Sequence, residues 1–352
     1  MKIAVGMSGG VDSSVSALLL KEKGYDVIGV TLKLSSVEDC NLETQVCCSP
    51  QDVKDAKKIA TFLGIEHYTI DWEILFKQKV IKPFIDAYKI ALTPNPCSIC
   101  NKEVKTERLL RYVREVLEVD KLATGHYIRK EKIKDYKLLS RGVDLKKDQS
   151  YFLALINAEI IPYLEFPLGN LKKEEVRKFA KKYNLPVFEK KDSFEICFTL
   201  GKSPAEYIEE NRFFNIEEGD IIHLSGKKLG KHKGLIHYTI GQRRGIGVSY
   251  GKPLYVIDKD FEKNILIVGE KEDLLVDTVK AKNFNFHLPI KFWEGNLFVQ
   301  GRYKQKPIKV KDFSFENNIL TVKFEEKAPK FASGQILAVY KENVLLGGGI
   351  II

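Results

Sequence analysis

The sequence predicts an α/β protein, in which a doubly wound parallel sheet is followed by a small central domain and a C-terminal β-barrel. Three observations predict this order. Apolar runs suited to buried parallel strands alternate with helical patterns up to about residue 205. Turn signals between short strands then replace the helices, and from about residue 278 the pattern is mostly alternating β. We therefore expect three domains, over residues 1–204, 205–275 and 276–352.

The N-terminal elements alternate between strand and helix. The first strand covers Ile3 to Met7, and a glycine turn leads from it into a helix that ends near Gly24. The helix after the second strand has its apolar residues on one face, namely Val53, Ala56, Ile59, Ala60 and Leu63. In chain order we predict strand 25–34, helix 51–63, strand 65–70, helix 72–91, helix 102–117, strand 121–128 and helix 172–183. A sheet of this kind binds its ligand at the carboxyl ends of the strands.

Turn residues divide the second half of the chain into short strands. Ser225-Gly226 and Gly251-Lys252-Pro253 precede strands such as Leu254 to Ile257 and Ile265 to Val268. Further turns are predicted at residues 316–318 and 333–334. The terminal run GGGIII reads as a closing strand of the barrel.

The bulk composition is that of a soluble globular protein. Of 352 residues, 44% are hydrophobic and 30% are charged. Asp12 and the adjacent glycines interrupt the apolar N-terminus, which excludes a signal peptide, and no stretch is long enough to cross a membrane. We expect a cytoplasmic protein without a membrane partner.

The net charge of +10 predicts an anionic partner. Eight Lys and Arg face three acidic residues between Arg212 and Lys252, and five stand between Arg302 and Lys311 without an acid. A general lysine excess is more often a solvated surface. In these two segments, however, the cations are interleaved with groups that stack on bases or bond to them, namely Tyr238, Gln242, Tyr250 and Tyr303, which favours a nucleic acid.

The segment Ser8-Gly9-Gly10-Val11-Asp12-Ser13 is the strongest single motif. It follows the first strand and opens the first helix, where glycines, hydroxyls and backbone N–H groups form a cradle for phosphate. A P-loop kinase or GTPase would need a lysine after the glycines, and none is present. The segment resembles the PP-loop of ATP pyrophosphatases, which release pyrophosphate from ATP.

The six cysteines suggest metal or redox chemistry more than a disulfide framework. Cys97 and Cys100 are three residues apart just before a predicted helix, so their sulfurs share one side, and the helix N-terminus with Lys102 favours a thiolate at Cys100. Taken alone, Cys197 is more often a packed thiol. Cys40, Cys47 and Cys48 lie in a polar loop after the second strand, where incidental thiols are favoured over a second metal site.

Seven sequence blocks carry a specific resemblance that spans nearly the whole chain. They are SGGVDS (8–13), NPCSICN (95–101), ATGHY (123–127), KDQSYF (147–152), EICF (195–198), GQRRG (241–245) and GGGI (347–350). In this order they resemble the tRNA-specific 2-thiouridylases of the PP-loop ATP pyrophosphatase superfamily. The resemblance implies a PP-loop domain, a central domain and a barrel. It also implies ATP-dependent activation of C2 of the wobble uridine, followed by replacement of oxygen with sulfur.

The resemblance further implies roles for individual residues. Cys100 matches the first cysteine of the family, and Cys197 matches the cysteine that carries a persulfide. Contacts to ATP are implied for Gly6, Met7, Ser8, Gly9, Gly10, Val11, Asp12, Ser13, Leu32 and Gly125. Contacts to tRNA are implied for Asn95, Pro96 and Cys97 at the target base and for His126, Lys147, Asp148, Gln149, Arg302, Tyr303 and Gln335 elsewhere. Mg²⁺ would accompany ATP. The partners would be the anticodon stem-loop of tRNA and a sulfur donor, either a persulfide carrier protein or sulfide.

Cys97 departs from the family pattern, because many members have an aspartate there as the acid or base. A thiol with a pKa of about 8.5 does not simply replace a carboxylate with a pKa of about 4. Two routes stay open. A persulfide on Cys197 can deliver sulfur and be resolved by Cys100, or a [4Fe–4S] cluster on Cys97, Cys100 and Cys197 can deliver it from an open iron.

Two functions of other classes are alternatives. A PP-loop synthetase or amidotransferase acting on a small molecule would not need the CxxC, Cys197 or the basic β segments. A non-catalytic RNA-binding protein would not need a working loop, and the intact Asp12 and Ser13 argue against a decayed one.

Overall fold

The computed structural model describes residues 1–35, 50–190 and 196–352. The interpretation of Cys40, Cys47 and Cys48 falls outside these residues, and so does Glu195 of the EICF block. In the described ranges no helix combines the length and the apolar character needed to cross a bilayer.

The described elements follow the predicted change from alternating strands and helices to β structure. The strands are β1 (Lys2–Gly6), β2 (Asp26–Lys33), β3 (Glu66–Asp71), β4 (Lys121–Ala123), β5 (Ile128–Ile133), β6 (Tyr136–Arg141), β7 (Leu164–Glu165), β8 (Gly219–His223), β9 (Lys228–His232), β10 (Tyr255–Asp260), β11 (Ile265–Gly269), β12 (Leu275–Phe286), β13 (Leu297–Gln300), β14 (Ile308–Glu316), β15 (Ile319–Pro329), β16 (Ile336–Lys341) and β17 (Val344–Ile351). The α-helices are α1 (Val11–Glu22), α2 (Pro50–Leu63), α3 (Glu73–Phe76), α4 (Lys82–Lys89), α5 (Pro96–Cys100), α6 (Glu107–Val116), α7 (Lys173–Lys182) and α8 (Pro204–Glu210).

A parallel sheet with the order β3-β2-β1-β4-β7 forms the N-terminal domain and confirms the doubly wound α/β class. Its two faces bury separate cores, because successive side chains of a strand point to opposite faces. Ile3 and Val5 of β1 pack with α1, α2 and α7, whereas Ala4 packs with α6 on the other face. The strand order reverses between β1 and β4, and a ligand of such a sheet binds in the crevice at that point.

Two predicted element boundaries were wrong, and each difference has a local cause. The strand predicted over 121–128 is two strands, because Gly125 lies against the start of α1 and a Cβ there would come within 3.0 Å of the Ser13 nitrogen. The helix predicted from Lys102 begins at Pro96, because the Asn95 side chain accepts a hydrogen bond from the backbone N–H of Ser98 at 3.0 Å. Cys97 and Cys100 therefore both lie within α5.

π-Helical turns join neighbouring helices in this domain. Residues Lys77–Ile81 connect α3 to α4, and residues Asn101–Thr106 connect α5 to α6. Helix α5 therefore continues directly into the π turn that follows Cys100. Such turns occur frequently at functional sites.

The central and C-terminal sheets follow in chain order. The central sheet has the order β10-β11-β8-β9. The barrel runs β12-β15-β14-β13-β16-β17 and closes through pairing of β12 with β17, which confirms the predicted closing strand. The predicted turn between β14 and β15 is also confirmed, since Asn317 and Asn318 both have positive φ. The hairpin β5–β6 extends the barrel sheet through β17 and so fixes the barrel to the N-terminal domain.

Candidate active site

The segment after β1 forms a tight turn at the start of α1. Gly9 has φ of +65°, and a Cβ there would lie 2.4 Å from the backbone oxygen of Asp52, so this position requires glycine. The Ser13 hydroxyl accepts a hydrogen bond from the Ser8 N–H at 3.2 Å and donates to the Gly10 carbonyl at 3.2 Å. Gly10 is the N-cap of α1 and has no side chain to occupy the helix N-terminus. This end of α1 can therefore receive an anion.

Two side chains from other parts of the domain hold Asp12 in this turn. The ammonium of Lys173, at the start of α7, donates to both carboxylate oxygens of Asp12 at 2.7 and 2.8 Å. The Tyr127 hydroxyl donates to the same carboxylate at 2.7 Å. Lys173 is 7% exposed, so its charge lies inside the protein beside the phosphate cradle. A buried lysine from another helix thus lies at the loop, whose own motif contains none.

A second lysine meets the opposite side of the turn. The Lys190 ammonium donates to the Gly9 carbonyl at 3.2 Å, to Asp52 at 2.7 Å and to Asp55 at 2.8 Å. Burial lowers the pKa of Lys190, but the hydrogen bonds to the two carboxylates outweigh this effect and raise the pKa overall. The ammonium therefore stays charged at neutral pH.

Two of the three described cysteines, Cys100 and Cys197, lie at one apolar core. Cys100 is buried in the core cluster that also contains Val104 and Tyr151, and Cys197 packs against that cluster. Phe198 fixes the chain beside Cys197, because its ring packs at 5.0 Å on Phe84 and at 5.5 Å on Tyr207. Cys97 is half-buried, and among the described cysteines none forms a disulfide.

The predicted cluster ligands do not fit a metal centre in this structure. Over the described ranges, no group of three or more His, Cys, Asp or Glu side chains is arranged to hold a metal ion. The structure thus brings Cys100 and Cys197 to one core without forming the three-thiolate site that a [4Fe–4S] cluster requires.

The edge of the barrel contacts the loop that precedes α5. The Gln335 amide donates to the Thr93 carbonyl at 2.9 Å and to the Pro94 carbonyl at 3.3 Å. Its oxygen accepts a hydrogen bond from the Asn95 amide at 3.5 Å. Pro96 is buried beside this contact. The barrel therefore positions the NPC segment, which the resemblance assigns to the target base.

Tyr303 and Arg302 lie at the same edge. The Tyr303 ring packs on Phe152 with centroids 4.5 Å apart and on Tyr151 at 6.5 Å. Burial raises the pKa of the Tyr151 phenol, and the positive charge of the exposed Arg302 acts weakly in the opposite direction. An aromatic platform and an exposed cation thus stand beside the NPC segment, as binding of single-stranded RNA requires.

The segment Lys147–Gln149 joins the barrel to the cradle. Asp148 is 5% exposed and accepts hydrogen bonds from the Arg141 guanidinium at 2.9 Å, the Gly142 N–H at 3.2 Å and the Ser150 hydroxyl at 2.9 Å. This burial does not favour the direct contact with tRNA that the resemblance implied for Asp148. The Gln149 oxygen accepts from the Tyr127 N–H at 3.1 Å, so the segment is connected to Asp12 through Tyr127. Lys147 is half-buried.

His126 follows Gly125 at the carboxyl end of β4. Its Nδ1 lies 2.8 Å from the Thr124 hydroxyl. Burial, assisted by the nearby Lys105 cation, lowers the pKa of His126 to about 3. The ring is therefore neutral at physiological pH and meets any ligand as a hydrogen-bonding group without charge. Leu32 is buried near the end of β2, which pairs with β1.

Sequence reasoning missed Lys173, Lys190, Tyr127 and Asp52. Each is far from the PP-loop in the sequence, and no spacing rule links a lysine in LKKEE or EKKD to SGGVDS. Of these four residues, only Tyr127 lies in a block that the sequence analysis singled out, since it ends ATGHY.

Three domain-family models match the chain. A tRNA methyl transferase HUP domain matches residues 1–201, a tRNA methyl transferase PRC-barrel domain matches residues 206–270, and an aminomethyltransferase beta-barrel domain matches residues 276–351. These ranges follow the order of the three sheets.

Curated relatives match over the full length. The chain is 60% identical to the "tRNA-specific 2-thiouridylase MnmA" of Persephonella marina, with 100% of both chains covered. It is 53% identical to the protein of the same name from Aquifex aeolicus, over 100% of this chain and 99% of the relative. A third relative of that name, from Hydrogenobaculum, is 51% identical over 100% of both chains.

Proposed function

The chain belongs to the tRNA-specific 2-thiouridylase family, and we propose that it converts the wobble uridine of tRNA, at position 34, to 2-thiouridine with release of AMP and pyrophosphate. The observation that carries the proposal is the placement of the PP-loop at the switch point of the sheet, together with Cys100 and Cys197 around one core of the same domain. We propose domain boundaries after residues 204 and 275, and the cytoplasm as the location, because ATP and tRNA are available there.

The first step is adenylation of the base. The wobble base is already single-stranded in the anticodon loop, so extruding it costs little. Its O2 attacks the α-phosphate of ATP, and pyrophosphate departs from the cradle at the start of α1, where N–H groups stabilise the leaving charge. Lys173 holds Asp12 in place and adds a buried positive charge.

Mg²⁺ fits this step as a companion of the nucleotide. The Asp12 carboxylate already accepts hydrogen bonds from Tyr127 and Lys173. Phosphate oxygens and water would therefore be the main ligands, as is usual for this ion, with Asp12 at the edge of the site. Bound there, Mg²⁺ would offset the phosphate charge.

The second step replaces AMP with sulfur. The terminal sulfur of a Cys197 persulfide attacks C2, a C2–S bond forms, and the C2–O bond to AMP breaks. The Cys100 thiolate then attacks the Cys197 sulfur, which releases 2-thiouridine and leaves a Cys100–Cys197 disulfide. We prefer this route over a [4Fe–4S] cluster because the described cysteines do not form a metal site.

The sulfur donor determines how the cycle closes. Hydrosulfide that attacks Cys197 in the disulfide restores the persulfide and frees the Cys100 thiolate, so electrons balance without another reductant. A persulfide carrier protein delivers sulfur to the Cys197 thiol and needs a dithiol to reduce the disulfide first. Either donor is consistent with the proposed residues.

The tRNA surface is proposed to extend from the NPC segment along the barrel edge. Asn95 and Cys97 line the target base, and Arg302, Tyr303 and Gln335 stand beside them. His126, Lys147 and Gln149 approach from the segment that connects to the cradle. Asp148 is proposed to position this segment from within the protein.

One experiment separates the proposal from the rival functions. Purified protein, in which Cys100 and Cys197 are first oxidised to the disulfide, is incubated with ATP and sulfide, with or without unmodified tRNA, and pyrophosphate and 2-thiouridine are measured. We expect pyrophosphate release that depends on tRNA and one 2-thiouridine for each pyrophosphate. Release that tRNA does not change would indicate a small-molecule PP-loop enzyme, and tRNA binding without release would indicate a non-catalytic RNA-binding protein.

A further inference from the structure

Arg141, the last residue of β6, has a buried guanidinium that bonds to two different domains. One terminal nitrogen donates to the Asp148 carboxylate at 2.9 Å, and the other donates to the side-chain oxygen of Gln300 in the barrel at 2.8 Å. The side chains of Arg141 and Asp148 are 11% and 5% exposed, and Gln300 is 3% exposed. The guanidinium also lies 3.9 Å from the centroid of the Tyr340 ring. Because the guanidinium is a planar, rigid fork, it fixes its two partners relative to each other.

Gln300 extends this connection to the exposed turn of the barrel that follows β13. Its amide donates to the Arg302 carbonyl at 2.9 Å. The Gln305 N–H donates to the same carbonyl at 3.1 Å, which sets the internal shape of the turn. The turn is attached to the N-terminal domain at a second point, since the Tyr303 ring packs on Phe152 with centroids 4.5 Å apart. The bond from Gln300 therefore fixes the orientation of a turn that would otherwise pivot on one aromatic contact.

The loop on the other side of the fork, residues 142–150, is fixed at the ATP turn. Its Gln149 oxygen accepts a hydrogen bond from the Tyr127 N–H at 3.1 Å. Its Asp144 carboxylate accepts one from the Lys173 N–H at 3.0 Å. Both of these donor residues also donate from their side chains to Asp12 in the PP-loop. The fork therefore connects a loop that is placed by the ATP turn to the exposed turn of the barrel.

From this arrangement we propose that Arg141 and Gln300 are positioning residues, which hold the exposed barrel turn in register with the loop of residues 142–150. The inference rests on the proposed function, in which Arg302 on the turn and Lys147 on the loop both contact tRNA. Arg141 and Gln300 are buried, so they act through these cations and do not contact tRNA themselves. A turn that is held in the binding position before tRNA arrives loses less conformational freedom on binding, which increases affinity.

The test is equilibrium binding of unmodified tRNA with α,β-methylene-ATP present, an analogue from which pyrophosphate cannot leave. The first variant is Gln300→Met, which keeps the length of the side chain and changes no charge. Asn285→Leu is the matched control, because Asn285 is also an uncharged amide of the barrel that bonds to the N-terminal domain, donating to the Ile156 carbonyl at 2.7 Å. Isotherms at four salt concentrations give the affinity and its salt dependence, and thermal melts establish that each variant is folded.

We expect Gln300→Met to weaken tRNA binding about 3- to 10-fold at about 0.15 M salt, the effect of one net hydrogen bond. The slope of log K against log salt should decrease by roughly half to all of the 0.7–0.9 that one phosphate contact contributes. Because this variant keeps every charge, such a decrease means that a phosphate contact has moved. Asn285→Leu should bind like the parent. Parent affinity in Gln300→Met overturns the proposal, and so does a loss of affinity with the parent's slope.

A double variant shows whether Gln300 acts through Arg302. Arg302→Gln removes the phosphate contact of the turn, so adding Gln300→Met to it should not decrease the slope further. If Gln300→Met decreases the slope equally with and without Arg302, Gln300 acts on another contact and the proposal is overturned.

Arg141→Lys is the second variant if Gln300→Met does not fold. Lysine keeps a positive charge beside Asp148 but lacks the fork that reaches both partners, so we expect the same decrease in slope. A slope equal to that of the parent overturns the proposal. A parent protein that binds no tRNA, with or without the ATP analogue, refutes the proposed function itself, which is a different result from variants that bind like the parent.

Discussion

The ammonium of Lys173 lies 2.7 and 2.8 Å from the two carboxylate oxygens of Asp12, although 161 residues separate the two in the sequence. A buried cation therefore stands at the PP-loop, whose own sequence contains no lysine. Tyr127 completes the arrangement by donating to the same carboxylate. The geometry of the ATP site thus depends on α7 and on the ATGHY segment as much as on SGGVDS.

Lys173→Met is expected to lower tRNA-dependent pyrophosphate release about 10²- to 10³-fold, the range for removing one preorganised electrostatic contact. The unfolding free energy should fall by only about 1–2 kcal/mol, because the Asp12 side chain is 33% exposed and keeps Tyr127 as a donor. Lys172→Met is the matched control, since Lys172 is exposed. Equal pyrophosphate release by the two variants would contradict a role of Lys173 in the ATP site.

Cys97→Asp is expected to keep or increase thiolation activity, because it restores the residue that many family members carry and leaves the persulfide on Cys197. The measurement is 2-thiouridine formation together with the iron content of anaerobically purified protein. Loss of iron and of activity together in this variant would establish the cluster route instead.

Arg302→Gln and His126→Gln should affect tRNA binding differently. Arg302 is an exposed cation, so its removal should reduce the slope of log K against log salt by about 0.7 to 0.9 if it contacts one phosphate. His126 is neutral, because burial lowers its pKa to about 3, and its replacement should leave the slope unchanged. Binding isotherms at four salt concentrations measure both slopes. A changed slope in His126→Gln would show that the ring carries charge in the complex.

Acid should destabilise the protein partly through His126. In the unfolded chain this ring titrates near pH 6.5, whereas burial keeps the folded ring neutral down to about pH 3. The unfolded state therefore binds more protons throughout that window, and stability falls as the pH decreases through it. For this group the loss between pH 7 and pH 5 is about 2 kcal/mol. Urea unfolding at pH 7 and at pH 5 measures the loss of unfolding free energy for each protein. We expect this loss to be smaller in His126→Gln by that amount, and an identical loss in both proteins would contradict the lowered pKa of His126.

The sequence predicted the fold class because hydrophobic periodicity and turn residues are local signals. It also placed the loop of SGGVDS and the turn at Asn317-Asn318 correctly. It missed the hairpin β5–β6, since a strand pattern does not say which sheet a strand joins, and this hairpin pairs with β17 about 200 residues later. The break after Ala123 arises from the close contact between Gly125 and the start of α1, which is a tertiary constraint.

The sequence predicted the parts of the candidate site that lie within one short segment. It did not predict the parts that folding brings together from distant segments. The residues from Ser8 to Ser13 and the pair Cys97 and Cys100 lie within short segments. Lys173 and Lys190 reach the loop only because α7 and the chain after it fold against α1 and α2. Asp148 is buried because its neighbours Arg141 and Ser150 hold it inside the protein, and its sequence block gives no sign of this.

The central claim, sulfur transfer from a Cys197 persulfide resolved by Cys100, is tested most directly with Cys100→Ser. Persulfide-loaded variant is mixed with ATP and unmodified tRNA, and the products are separated with and without dithiothreitol. We predict a covalent disulfide complex of protein and tRNA, which dithiothreitol cleaves to release tRNA that contains 2-thiouridine. The Cys197→Ser variant should not form this complex. Thiolation of tRNA by Cys197→Ser at the parent rate, or turnover of Cys100→Ser without any trapped complex, would contradict the claim.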